Sequence, residues 1–72
     1  MLFDNGNHVF EADAGSSIHI VAEELIKRYK KSGTDIIGIF NDIELRVNQY
    51  ENPMSLYWQY MYKMELARGI KL

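Results

Sequence analysis

Ile36-Ile-Gly-Ile-Phe40, Asn41-Asp42 and Ile43-Glu-Leu-Arg-Val47 together decide how this chain is read. Two five-residue runs rich in β-branched residues flank a two-residue polar turn, the pattern of a β-hairpin. Closing it on Asn41-Asp42 pairs Phe40 with Ile43, Gly38 with Leu45 and Ile36 with Val47. Strand side chains alternate between faces, so these six positions share one face, the expected core face. Gly38 leaves a gap opposite Leu45, where a helix could approach closely. The other face sets Ile37 and Ile39 against Arg46 and Glu44. It is half apolar and is expected to be partly covered.

A helix is expected on each side of this hairpin. Before it, Ser16 or Ser17 can cap a helix, and Ile18, Val21, Ala22, Leu25, Ile26 and Tyr29 form one apolar stripe. Glu23, Glu24, Lys27, Arg28, Lys30 and Lys31 occupy the opposite side, and Gly33 suits the residue just past the helix end. Ile20 is the misfit, because it falls on the polar side if the helix starts at Ser17. Either the helix begins later or Ile20 packs beneath the N-terminal segment. After the hairpin, Asn52-Pro53 reads as a helix start. That helix should run to about Arg68 and stop at Gly69, with Ile70 folding back on Met64.

The first twelve residues place Asp4-Asn5-Gly6-Asn7 between Leu2-Phe3 and His8-Val-Phe-Glu-Ala12. They read as a short hairpin, or as one strand after a turn. The expected fold is α+β: a small antiparallel sheet packed against two helices, in the order β-(β)-α-β-β-α, as one domain over residues 1–72.

Composition narrows the function classes. Seventy-two residues sit near the small end of what folds alone. With no cysteine, a disulfide, a thiolate metal site and a cysteine nucleophile are all ruled out, which fits a reducing compartment. A net charge of -2 argues against broad electrostatic binding to nucleic acid or acidic membranes. No apolar run approaches the ~20 residues of a membrane span, and Met1-Leu-Phe-Asp-Asn-Gly6 lacks the pattern of a signal peptide. The expectation is a cytoplasmic protein.

The second helix is apolar on two sides. Leu56, Tyr57, Tyr60, Met61, Met64 and Ala67 form a broad stripe, enough to cover the hairpin. Trp58, Tyr62 and Leu66 form another at i, i+4, i+8, bordered by Ser55, Gln59 and Lys63. A helix apolar on two sides is buried on two sides, and a chain this short has few elements for the second. Either the N-terminal strand or the Ile70-Lys-Leu72 tail covers it, or it is an exposed contact surface for another protein or a second copy. Trp and Tyr are enriched at interface hot spots.

Catalytic and metal-binding patterns are thin. There is no phosphate loop, nucleophile elbow or zinc spacing. His19 and Glu23 are one helical turn apart, but two ligands do not make a site. His8 has no partner nameable from sequence. Asp35, Asp42 and Glu44 fit strand-end, turn and solvated-face roles better than paired carboxylate catalysis. Lys27-Arg-Tyr-Lys-Lys31 is the nucleic-acid candidate, through Lys27, Arg28, Lys30 and Lys31. Glu23 and Glu24, each four residues before a basic residue, are placed to neutralise part of it.

Asp35-Ile-Ile-Gly-Ile-Phe-Asn-Asp-Ile-Glu-Leu45, following a helix that ends Lys30-Lys-Ser-Gly33, resembles the hairpin of short uncharacterised phage and mobile-element proteins, over residues 18–47. The resemblance assigns no catalytic residue. It implies a small accessory factor that binds a host protein, for example an inhibitor of a bacterial defence system such as an anti-CRISPR. The expected function is a non-enzymatic protein-interaction module without cofactor or metal. It would use Trp58, Tyr62 and Leu66, with homodimerisation the simplest form. The alternative is a small nucleic-acid-binding or regulatory protein that uses the basic end of the first helix.

Overall fold

Asn41 and Asp42 form the hairpin turn with φ of 51° and 64°, the left-handed pair that suits a two-residue connection between twisted strands. In the computed structural model, which describes residues 2–13 and 15–69, the elements are β1 (Leu2–Asp4), β2 (Val9–Ala12), α1 (Ile18–Ser32), β3 (Ile36–Phe40), β4 (Ile43–Val47) and α2 (Pro53–Ala67). The β3–β4 register pairs Ile36 with Val47, Gly38 with Leu45 and Phe40 with Ile43, as the alternation requires. These side chains are buried, while Glu44 and Arg46 are exposed and Ile37 and Ile39 half-buried.

The N-terminal segment is a hairpin rather than a single strand. Asn5 N donates to Val9 O at 2.8 Å and Val9 N to Gly6 O at 3.0 Å. Gly6, Asn7 and His8 turn the chain at positive φ, and the Asp4 carboxylate accepts from Gly6 N at 2.7 Å.

The four strands lie in chain order, β1-β2-β3-β4, so the fold is small α+β, one hairpin-helix unit after another. The sheet is mixed, not wholly antiparallel. Both hairpins are antiparallel, but β2 and β3 run parallel, with Phe10 opposite Gly38. The cause is α1. A helix between two neighbouring strands brings the chain back in its original direction, which is the connection a parallel pair needs.

Ser17 caps α1, its Oγ accepting from His19 N at 3.2 Å, and Gly33 ends it at φ 74°, donating to Tyr29 O. The later start holds by one residue but does not turn Ile20 inward, and burial beneath the N-terminal segment fails. The helix starts at Ile18, and Ile20 stays 54% exposed. It shares the outer face with Glu23, Glu24 and Lys27, which lie three, four and seven residues on.

Asn52 caps α2 reciprocally with Ser55: Asn52 Oδ1 accepts from Ser55 N, and Ser55 Oγ from Asn52 N, both at 2.9 Å. Pro53 fills the first turn, where its missing N–H costs nothing. Gly69 has φ 75°; the anticipated Ile70–Met64 contact lies outside the described residues. Both helices contribute to one core on one sheet face: Val21, Ala22, Leu25 and Ile26 from α1, and Leu56 and Tyr60 from α2. They pack with Phe10, Ile36, Phe40, Leu45 and Val47. Asn41 Nδ2 donates to the Tyr60 hydroxyl at 3.1 Å, tying α2 to the β3–β4 turn.

Candidate interaction surface

Three sides of α2 have different roles. The inward side buries Leu56 and Tyr60, with Tyr57, Met61 and Met64 half-buried beside them; Ala67, expected in that stripe, is exposed. The side over β4 is polar for a reason. Gln59 Oε1 accepts from Arg46 N at 2.8 Å, and Gln59 Nε2 donates to Arg46 O at 3.2 Å. One side-chain amide thus supplies the two hydrogen bonds that a neighbouring strand would make. Lys63 Nζ donates to Glu44 O at 2.6 Å and to Gln59 Oε1 at 3.2 Å. The outer edge of β4 is therefore occupied, which blunts strand addition there.

The third side faces outward. Trp58, Tyr62 and Leu66 are 63%, 65% and 55% exposed. The N-terminal strand does not cover them. It lies at the β1 edge, whereas α2 packs on β4 at the opposite edge. The Ile70-Lys-Leu72 tail lies outside the described residues. Met54, 62% exposed, extends the same row one step toward the N-terminus. Sequence reading missed it, although the i, i+4 spacing carried back from Trp58 points to it. Tyr57 meets Trp58 edge-on at 5.6 Å between centroids, and His19 of α1 stacks on Tyr57 at 4.9 Å and 12°. The stripe is thus anchored to both helices at its N-terminal end.

His19 is engaged by that stack, beside Glu23, Pro53 and Met54 at the rim of a small cleft. No group of three or more potential metal ligands occurs among the described residues. Asp35 and Asp42 bracket β3 at opposite ends, so the structure does not bring them together. His8 and Asp35 border an open cleft of about 340 Å³ with Arg46 and Asn48. Lys27, Lys30 and Lys31 are exposed, but Arg28 is half-buried, its guanidinium 5.6 Å from the Phe10 ring centroid. Arg28 therefore braces α1 against β2 by a cation–π contact, leaving three lysines as the free basic group. Among the described residues no helix is long and apolar enough to cross a membrane.

Comparison with known protein families, curated proteins and solved structures finds no match to this chain.

Proposed function

We propose that the protein is a non-enzymatic interaction module that docks through the outward side of α2, with Trp58, Tyr62 and Leu66 as contact residues. The observation that carries this reading is their joint exposure on a helix whose inner side already packs in the core. Large apolar side chains exposed side by side, rather than scattered singly, are a common mark of an interaction site. Two aromatic residues give it the composition of an interface centre. On this reading it acts by covering a protein surface, that of a second copy in the simplest form; a small phage or mobile-element accessory factor that binds a host protein is another form of that role. The basic end of α1 supports nucleic-acid binding less well, because Arg28 lies over Phe10 and only three lysines remain free.

The test is affinity capture with three baits: the parent, Trp58→Ala, and a variant with Lys27, Lys30 and Lys31 changed to Ala. Proteins held by the parent and the lysine variant but lost with Trp58→Ala support the module. Capture lost only with the lysine variant, together with nucleic-acid binding that falls steeply with salt, overturns it in favour of the basic face.

A further inference from the structure

We infer that the occupant of the α2 surface is a second copy of this chain, docked by crossing α2 on α2 about a two-fold axis; this rests on the reading of α2 as the docking side. Met54, Trp58, Tyr62 and Leu66 are spaced four residues apart in one unbroken row, about 18 Å long at 1.5 Å per residue. Such a row is a ridge inclined to the helix axis. Two copies of one ridge interdigitate when the helices cross at about -50°, the commonest helix packing. A two-fold axis between Trp58 and Tyr62 then sets each ridge beside its own image, so the surface is complementary to itself.

Charge favours a like partner. None of the four side chains carries a formal charge, so stacking the surface on itself opposes no like charges. Area sets the strength. Side chains of this size offer about 200 Å² each, and the four are roughly six-tenths exposed. The ridge thus supplies about 500 Å² per copy, or about 1,000 Å² per dimer, the lower limit for a specific interface. The dimer is accordingly reversible and dependent on concentration.

The experiment is sedimentation over a wide concentration range of the parent, Met54→Glu, Trp58→Ala and Ile20→Glu. Met54→Glu is the sharpest probe. It puts a carboxylate in the first turn of α2, where the dipole tolerates it, and a charge at the end of the ridge, against the apolar Leu66 of the other copy. Ile20→Glu changes an equally exposed residue on the outer face of α1. The expected result is a parent that passes from one to two protomers, and two α2 variants weakened at least tenfold while still folded by circular dichroism. Ile20→Glu should match the parent. A parent that stays monomeric to millimolar concentration overturns the second-copy assignment and leaves docking to another protein to the capture experiment. A dimer indifferent to both α2 substitutions, or broken by Ile20→Glu, overturns the assignment and the α2 reading together.

Discussion

Leu25 of α1 lies so close over Gly38 of β3 that a Cβ on the glycine would fall 2.5 Å from Leu25 Cδ1. Leu25 is fully buried, so its side chain has no room to swing away. Overpacking therefore outweighs the small gain in strand propensity, and Gly38→Ala should destabilise the fold by about 1–3 kcal/mol. Leu25→Ala alone should cost about 2–5 kcal/mol by opening a cavity. Because each change relieves the other, the double variant should lose less than the sum, measured by chemical denaturation. Strict additivity would mean the two side chains do not meet.

Gln59 is expected to act as a substitute strand. Gln59→Ala frees Arg46 N and O to water, at a cost of about 1 kcal/mol because both groups can rehydrate. Hydrogen exchange at the Arg46 amide should accelerate markedly while the amide of Leu45, inside the sheet, changes little. Unchanged exchange at Arg46 would show that the Gln59 bridge does not persist in solution.

The Asn41-Asp42 turn holds two non-glycine residues at positive φ. Glycine is the favoured second residue of such a turn. Asp42→Gly should therefore raise stability by about 0.5 kcal/mol, as relief of backbone strain exceeds the entropy lost. Asn41→Gly should not gain in the same way, because it also removes the hydrogen bond to Tyr60. Thermal melts of the two variants distinguish these outcomes.

Trp58→Ala should separate folding from docking. Trp58 is largely exposed, so the change should alter monomer stability by less than about 0.5 kcal/mol. Association should fall much more. A variant that unfolds yet associates as the parent does would contradict this assignment.

The β3–β4 hairpin, both helices and the face of β3 and β4 that packs inward follow from local rules, because alternation, caps and turn residues act over a few positions; the N-terminal segment was legible only as a turn beside at least one strand. The parallel pairing of β2 with β3 does not follow from local rules. Val9 and Ile37 are neighbours through a connection containing a 15-residue helix, and nothing local in either strand records the direction of its partner. The Gln59–Arg46 bridge was hidden for a related reason. A glutamine on a polar helix side looks solvated until the helix is placed beside a strand edge. Trp58, Tyr62 and Leu66 were legible as a second apolar side, but whether another segment covers them was open until β1 was placed at the far edge of the sheet. Ile20 does lie on the polar side of α1, as its spacing implies; only the expectation that something would bury it did not hold.

Trp58 is the sole tryptophan of the chain, so its fluorescence reports directly on the proposed contact. The measurement is the emission maximum and acrylamide quenching of Trp58 from nanomolar to millimolar protein. Docking through α2 onto a second copy predicts red, readily quenched emission at high dilution and blue-shifted, protected emission as concentration rises, with Met54→Glu holding the dilute signal throughout. Emission that stays red and fully quenchable at every concentration would contradict burial of this surface by a second copy.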